Sequence, residues 1–276
     1  MAFPHRFEEW ENMSKRIITL LTDFGDEGGY PGVMKGVALS INPDCHIIDM
    51  THQVSPQNIE EAAFLLNNCC SYFPEQSIHV VVVDPGVGRK RKPILVETDK
   101  YWFVGPDNGV FSFVFSMEGF KAVWQITNKS YFLPEVSSTF HGRDIFSPVA
   151  AHLSLGVPPE KLGKELKEFV VLKDLEPTLK AGAIKAKVVY VDHFGNLISN
   201  VSKDLFGQFV ADKPFRIAVG GKMIQKLSLS YADGRDGEVL ALFGSSRWLE
   251  ISVRNGNCQR ELGIRKGAEI DVVITQ

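Results

Sequence analysis

The sequence predicts an α/β N-terminal domain, with a mainly parallel sheet layered by helices, and a smaller C-terminal all-β domain. In the first half, apolar strand-like runs alternate with helical patterns, which implies crossover connections and parallel strands. Residues 174–182, which include Pro177 and Gly182, break this pattern, and only short strand-like runs follow. We therefore predict an N-terminal extension (1–15), an α/β domain (16–175), a linker (176–183) and a β domain (184–276).

Composition limits the classes of function. The 276 residues carry a net charge of -3 and a hydrophobic fraction of 44%, and the mean hydropathy is -0.03. These values predict a soluble globular protein that binds neither nucleic acid nor membrane. Residues 1–16 are polar, with glutamates where a signal peptide would be apolar, so we expect a cytoplasmic protein. The four cysteines lack CxxC spacing and are interpreted as reduced thiols.

The individual elements follow from local patterns. The compact apolar run 17–22 is typical of a buried strand, and Asn42-Pro43-Asp44 ends the helix that follows it. Further strands and helices are recognised by their bounding turn residues and by apolar residues near helical spacing. In order, we predict strand 17–22, helix 28–41, strand 46–50, helix 56–72, strand 78–83, helix 145–153, and strands 184–191, 215–219, 238–243 and 269–274.

Two carboxylates follow strands of the predicted sheet, at the edge where ligands bind in such folds. Asp23 can hold a ribose diol, although a structural cap or turn explains it equally well. Asp84 enters a Pro-Gly turn, and Arg91, seven positions on, can fold back and hold the carboxylate ionised; a surface ion pair is the alternative. The glycines of this turn lack a following GKS/T and do not form a phosphate loop.

A histidine lies just before the helical stretch at 145–153. His141 belongs to the segment Thr139-Phe140-His141-Gly142-Arg143-Asp144, and a neutral imidazole there can orient or deprotonate water. On residue type alone, a structural role is the alternative. The glycine distinguishes this segment from the HRD motif of protein kinases.

The predicted β domain contains two clusters that suit ligand binding. One strand ends in Asp192, Phe194 and Asn196, which fit an amine and a stacked base, whereas a hairpin turn is the alternative. Residues 244–251 and 254–257 combine hydroxyls, amides and backbone donors, which can read an adenine edge or merely form turns.

Taken in order, these segments resemble the S-adenosylmethionine hydroxide adenosyltransferase family, whose relatives include the fluorinase and chlorinase enzymes. The resemblance covers about residues 16–275 and rests on six ordered motifs: LLTDFG, PGVMKG, DPGVG with Arg91, GPDNG, TFHGRD and HFGN. It implies a barrel-like C-terminal domain. It also implies a homotrimer in which the substrate lies between the N-terminal domain of one subunit and the C-terminal domain of its neighbour.

The resemblance also assigns roles to residues. It implies that Asp84, Arg91 and His141 surround the nucleophile. The substrate-binding residues that it implies are Asp23, Asn108, Asp192, Phe194, Asn196, Ser246, Arg247 and Gly256. Halogenating relatives place other residues around the halide, which the carboxylate of Asp84 would repel, and the fluorinase carries an insertion that this chain lacks. Both differences favour water as the nucleophile.

We therefore expect an enzyme, an S-adenosylmethionine hydrolase, in which water attacks the ribose C5′ in line and releases adenosine and L-methionine. No cofactor and no metal are expected, because the sulfonium is already activated by its charge and the protein need only desolvate and aim one water. The sequence leaves open whether Asp84 or His141 accepts the proton. The alternatives are a halide adenosyltransferase, a non-catalytic module that binds S-adenosylmethionine or adenosine, and a Rossmann-like nucleotide hydrolase, whose glycine spacing is missing here.

Overall fold

A computed structural model describes residues 17–173 and 175–275. The chain divides into two compact units with the boundary between Leu172 and Lys173. The predicted extension, 1–15, lies outside the described residues, as do Asp174 and Gln276. The segment 176–183, predicted as a linker, contains strand β8 (Thr178–Lys180) of the second unit.

The first unit contains the predicted strands and helices at nearly the expected bounds, but its strands within 93–126 and 163–165 and its helix at 159–162 were not predicted. Its strands are β1 (Ile17–Thr22), β2 (His46–Thr51), β3 (Ile78–Val82), β4 (Pro93–Thr98), β5 (Trp102–Pro106), β6 (Phe120–Ile126) and β7 (Gly163–Glu165). Its α-helices are α1 (Tyr30–Ile41), α2 (Ile59–Cys69), α3 (Ser147–Ser154) and α4 (Pro159–Leu162). A π-helix, Gly142–Phe146, leads directly into α3, so the predicted helix 145–153 begins in a wider turn.

The sheet of the first unit is mixed, and the expectation of a mainly parallel sheet is wrong. Its strand order is β2-β1-β3-β5-β4-β6-β7. The pairs β1–β2, β1–β3 and β3–β5 are parallel, but β4–β5, β4–β6 and β6–β7 are antiparallel. The turn between β4 and β5 is too short for a crossover, since Thr98 and Tyr101 already hydrogen-bond across it, and only an antiparallel hairpin can form there.

The two faces of this sheet pack into two apolar clusters. Ile78, Val80 and Val82 of β3 pack with α1 and α3, whereas Val81 and Val83 pack in the cluster that includes residues of α2. This division follows from the alternation of side chains along a strand. The buried pair β1–β3 is parallel, with Thr22 beside Val82, so Asp23 and Asp84 leave the sheet at the same edge.

Over residues 175–275, the second unit is a nearly barrel-shaped sheet with two short α-helices. After β8 come β9 (Ala183–Val191), β10 (Leu197–Ser202), β11 (Phe215–Val219), β12 (Lys222–Ile224), β13 (Val239–Phe243), β14 (Trp248–Val253) and β15 (Glu269–Ile274), with helices α5 (Lys203–Val210) and α6 (Cys258–Leu262). The strand order β12-β11-β15-β9-β10-β14-β13 brings the end strands β12 and β13 near each other. Side chains from both helices complete the apolar interior.

Candidate active site

The turn after β3 carries the carboxylate of Asp84 into a protected position. Its side chain is only 4% exposed, and the backbone N–H of Val87 donates to the Asp84 carbonyl (3.2 Å). Gly88 has φ +72°, and a Cβ there would lie 2.2 Å from the carbonyl oxygen of Ser138. Glycine is therefore required at this position both for its conformation and for the close approach of the segment that carries His141.

Among the described residues, Arg91 binds one oxygen of Asp84, and the other oxygen has no partner. Arg91 Nε donates to Asp84 Oδ2 (2.7 Å), and Nη2 contacts the same oxygen. The guanidinium is itself buried, 9% exposed, and lies over the ring of Phe146. Asp84 Oδ1 is buried and has no hydrogen-bond partner among the described residues. The carboxylate therefore offers a fixed, ionised oxygen that can accept a hydrogen bond or a proton.

His141 is connected to Asp84 through the same arginine. Arg91 Nη2 lies 2.7 Å from His141 Nδ1. A guanidinium only donates hydrogen bonds, so Nδ1 must accept, and the neutral ring carries its proton on Nε2. Burial, followed by the charge of Arg91, lowers the pKa of His141, although Asp84, Asp144 and a hydrogen bond to the Ser137 backbone oppose the shift. The neutral form that this contact requires is thus favoured near neutral pH.

A pocket of about 360 Å³ joins these groups to Asp23. Asp23 Oδ2 accepts a hydrogen bond from the backbone N–H of Gln57 (2.7 Å). Gln57 has φ +64°, an uncommon conformation for a residue with a side chain. The rings of Phe24 and Phe140, 5.7 Å apart between centroids, form an apolar wall. One pocket therefore contains two carboxylates, a histidine and an aromatic surface.

In the second unit, Asp192 shapes the loop that presents Phe194. Its Oδ1 accepts the backbone N–H groups of Phe194 (2.9 Å) and Asn196 (2.8 Å), and its Oδ2 accepts Asn196 Nδ2 (2.9 Å). Gly195, at φ +88°, lies against the side chain of Asn257. The Phe194 side chain is left 73% exposed. An aromatic ring held open to solvent by a rigid loop suits stacking on a planar ligand.

A second pocket, of about 620 Å³, lies beside this loop. It is lined by Phe194, Asn196, Tyr231, Ala232, Val253, Arg254, Asn255 and Gly256. Tyr231 Oη donates to the buried carboxylate of Glu250 (2.7 Å), and Arg254 Nη1 donates to the carbonyl of Ala232 (2.5 Å). Burial and Glu250 raise the pKa of the Tyr231 hydroxyl. The pocket therefore combines two aromatic rings with amide and backbone groups.

Comparison with known proteins decides the family. Residues 18–163 match the model of the SAM hydroxide adenosyltransferase N-terminal domain, and residues 186–271 match that of the C-terminal domain. The chain belongs to the SAM hydroxide adenosyltransferase family.

Several known proteins are similar to this chain over most of its length. A protein from Methanocaldococcus jannaschii named (R)-S-adenosyl-L-methionine hydrolase is 36% identical over 267 residues, covering 93% of this chain and 95% of that protein. A crystal structure of an uncharacterized conserved protein from Thermotoga maritima has a TM-score of 0.86 at 39% identity, covering 93% of this chain and 99% of that one. A fluorinase from an Actinoplanes species is 23% identical and covers 68% of this chain and 72% of the fluorinase.

In the structure, the predicted site residues form two groups, one at each pocket. Asp23, Asp84 and His141 line the first pocket, and Arg91 contacts two of them. Phe194, Asn196 and Gly256 line the second pocket, with Asp192 supporting the loop. Thus most of the predicted residues cluster in two places, one in each unit.

Four predicted substrate-binding residues do not line either pocket: Asp192, which supports the Phe194 loop, and the three that follow. Asn108 Nδ2 donates to the carbonyl of Val83 (2.9 Å), so this amide supports the strand end before Asp84. Ser246 is half-buried in the loop before β14. Arg247 is 63% exposed and pairs with Asp204 at 2.6 Å. In the isolated chain these side chains serve local structure or face solvent.

Sequence reasoning missed Gln57 and Tyr231. Gln57 enters through its backbone N–H, to which its residue type gives no clue. Tyr231 lies in a short 3₁₀-helix that begins with a capping box between Ser230 and Asp233. That S-x-x-D spacing is a detectable signal for the turn, although not for the pocket beside it.

Residues 17–173 and 175–275 contain no group of three or more His, Cys, Asp or Glu side chains placed to hold a metal ion. Across the same ranges, the helices are all too short or too polar to span a bilayer.

Proposed function

We propose that this protein hydrolyses S-adenosylmethionine to adenosine and L-methionine, with water as the nucleophile. The observation that carries the proposal is the asymmetry of Asp84: Arg91 binds one oxygen, and the other is buried with no partner in the part of the chain that the structure describes. A close relative carries the name of a hydrolase of this substrate, which supports the same reaction.

The reaction is an in-line displacement at the ribose C5′. The water oxygen forms the new bond to C5′ while the C5′–S bond breaks and its electron pair returns to sulfur, which leaves as the neutral thioether of methionine. One proton of the water passes to Asp84 Oδ1 and later to solvent. A positioned base of this kind contributes about 10²–10⁴-fold to the rate.

We assign the proton to Asp84 rather than to His141. The Nδ1 lone pair of His141 is committed to Arg91, and Nε2 carries the ring proton, so the ring has no free acceptor while this contact persists. His141 instead holds Arg91, and Arg91 holds Asp84 in its ionised form. The carboxylate also disfavours a halide, because a second anion beside Asp84 would be repelled.

The remaining site residues each bind a different part of the substrate. Asp23 keeps one oxygen for the ribose hydroxyls, since Gln57 occupies only the other. Phe194 and Tyr231 offer rings for adenine, and the amide of Asn196 and the backbone around Gly256 offer polar contacts. The active assembly is a homotrimer in the cytoplasm, in which the first pocket of one subunit meets the second pocket of its neighbour.

The proposed reaction has a preferred configuration at the sulfonium. The Methanocaldococcus jannaschii relative is named for the (R)-sulfonium substrate, and we infer the same preference here. An in-line displacement aligns sulfur, C5′ and water, so the two sulfur configurations point the methionyl group in different directions from a fixed adenosine. Only one direction can satisfy the contacts of a rigid site.

The test is incubation of the purified protein with separated (R)- and (S)-sulfonium epimers in H₂¹⁸O, with and without chloride. We expect adenosine with ¹⁸O at C5′ and methionine, chiefly from the (R) epimer, under both salt conditions. A 5′-chloro-nucleoside would instead indicate a halide adenosyltransferase, and recovery of unchanged, tightly bound substrate would indicate a binding module. Equal cleavage of both epimers would contradict the stereochemical preference alone.

A further inference from the structure

The residue that follows Arg143 is a carboxylate sealed inside the first unit. Asp144 is 0% exposed and lies in the π-helix Gly142–Phe146, immediately after His141. Arg143 Nε donates to its Oδ1 (2.5 Å), and the backbone N–H of Ser137 donates to its Oδ2 (2.7 Å). A buried charge is costly unless it is paired, and apolar residues would fill the same space at lower cost. Its presence therefore calls for a specific role.

Asp144 ties together both ends of the segment that presents His141. We call residues 137–141 the histidine strap. At its start, Ser137 donates to the Asp144 carboxylate; at its end, the backbone N–H groups of Arg143 and Asp144 both donate to the carbonyl of Phe140 (3.1 and 3.0 Å). Ser137 Oγ also accepts the N–H of Phe140 (3.0 Å). These bonds close the strap into a compact loop whose shape depends on Asp144.

The histidine strap touches the Asp84 turn at two places. Gly88 lies against the Ser138 carbonyl so closely that a Cβ would not fit, and His141 Nδ1 meets Arg91 Nη2 at 2.7 Å. A shift of the strap would therefore move both the turn and the guanidinium that binds Asp84. The Asp144 charge and the Ser137 backbone also raise the pKa of His141 against the larger effects of burial and Arg91.

We propose that Asp144 is a positioning residue for the reaction, which acts by holding the histidine strap so that His141 faces Arg91 and Arg91 faces Asp84. Asp144 does not touch the water or the substrate. It sets the geometry of the groups that do, and small displacements of such groups have large effects on rate. Asp144 lies buried in the π-helix, three residues after His141, and such helices are frequent at functional sites. This inference rests on the proposed hydrolysis of S-adenosylmethionine.

The test is Asp144→Asn, which keeps the volume but removes the charge. We expect kcat to fall about 10- to 100-fold while KM changes less than about threefold, because the substrate contacts stay intact. The acid limb of the kcat profile should also move to lower pH. The charged groups that face His141 are Arg91, Asp84 and Asp144, and removal of one anion lowers the pKa of the ring.

Asp107→Asn is the matched control. Asp107 is also buried in the first unit and accepts a backbone N–H, from Val170 (2.8 Å). The Asp107→Asn variant should have a lower melting temperature than wild type, but the same kcat and the same dependence of kcat on pH. If Asp144→Asn behaves like this control, with unchanged kcat and acid limb, the positioning role is overturned.

A second variant covers the case in which Asp144→Asn does not fold. Arg143→Gln changes a side chain that is 36% exposed, and it should lower kcat in the same direction by a smaller factor; unchanged kcat would overturn the proposal. A parallel assay of the wild-type protein distinguishes a failure of the proposed function from a failure of the role of Asp144. If it forms no adenosine, the proposed function fails and the role of Asp144 falls with it, whereas wild-type turnover retained in both variants overturns only the role of Asp144.

Discussion

Asp84 illustrates how burial can divide the tasks of one carboxylate between its two oxygens. Oδ2 takes both contacts from Arg91, which keeps the group charged, and Oδ1 has no hydrogen-bond partner within residues 17–173 and 175–275. If Arg91 bound both oxygens in a two-pronged pair, each oxygen would already accept a hydrogen bond, and neither would be available to the nucleophile alone. The one-sided geometry therefore distinguishes this pair from a structural ion pair with the same residue types.

The Asp84→Asn variant tests this division. Asn keeps an oxygen for Arg91 but cannot accept the proton, so we expect kcat to fall about 10²–10⁴-fold while the affinity for S-adenosylmethionine changes little. Product formation by chromatography gives kcat, and calorimetric titration gives the affinity. The control is Asp99→Asn, which alters an exposed pair with Lys121 and should leave both quantities unchanged. Parallel loss of affinity and turnover in Asp84→Asn would mean that Asp84 is structural.

At the scale of elements, the central strand β3 connects the site to the stability of the fold. Its residues Ile78–Val82 are all buried, and they include His79, whose Nδ1 lies 2.8 Å from Thr19 Oγ1 of β1. The His79 ring packs among Phe73, Tyr101 and Phe103. Burial lowers the pKa of His79 from 6.5 to about 3. The strand that delivers Asp84 thus contains a histidine that stays neutral.

This histidine predicts an acid-sensitive fold. The unfolded chain binds a proton at His79 below about pH 6.5, whereas the folded chain does not until far lower pH, so stability is lost as the pH falls through this window. Between pH 7 and 5, His79 should account for a loss of about 2 kcal/mol in the free energy of unfolding. Denaturant titrations at both pH values measure it.

The His79→Gln variant isolates this contribution. It should be less stable than wild type at pH 7, yet lose about 2 kcal/mol less than wild type on acidification to pH 5. His193→Gln, a change at an exposed position, should keep the wild-type pH dependence. Identical pH dependence in His79→Gln and wild type would show that His79 binds its proton at the same pH in the folded and unfolded chains, and would contradict the lowered pKa.

For the whole molecule, patterns local in sequence predict the fold better than those that depend on pairing. The buried strands, the helix ends and the change to short strands near residue 180 all have local signals. The antiparallel direction of the β4–β5 hairpin has no local signal of comparable strength. Both strands are buried and apolar, like the parallel strands beside them. The direction of a buried strand depends on its connection rather than on its own residues.

The site divides in the same way. The contact between Asp84 and Arg91 is predicted because a turn joins residues seven positions apart, but their contact with His141, fifty residues further on, follows from the resemblance and the folded sheet. Gln57 and Tyr231 could not be predicted, since one acts through its backbone and the other enters its pocket from a distant loop. The residue type therefore indicates what a side chain can do chemically, but the fold decides which side chains lie close together.

The proposed trimer predicts that two impaired variants restore activity when they are mixed, which a site contained in one subunit would not do. Asp84→Asn damages the first pocket, and Phe194→Ala damages the second, where a lost stacking contact of about 1–3 kcal/mol should lower kcat/KM by about 5- to 150-fold. In a ring of three head-to-tail junctions, any mixture of the two variants contains one junction with an intact first pocket and an intact second pocket. Mixed oligomers should therefore recover about a third of wild-type activity.

Co-expression of the two variants with different affinity tags, followed by purification on both tags in turn, yields the mixed oligomers. Light scattering should give a mass about three times the 30.7 kDa of one chain. Activity is then measured at S-adenosylmethionine concentrations below KM, where the Phe194→Ala defect is fully expressed, and compared with each parent variant. Recovery well above both parents requires that neighbouring subunits share the site, because neither chain alone contains both intact pockets. Activity equal to the mean of the parents would contradict the shared site and leave the hydrolytic reaction itself untouched.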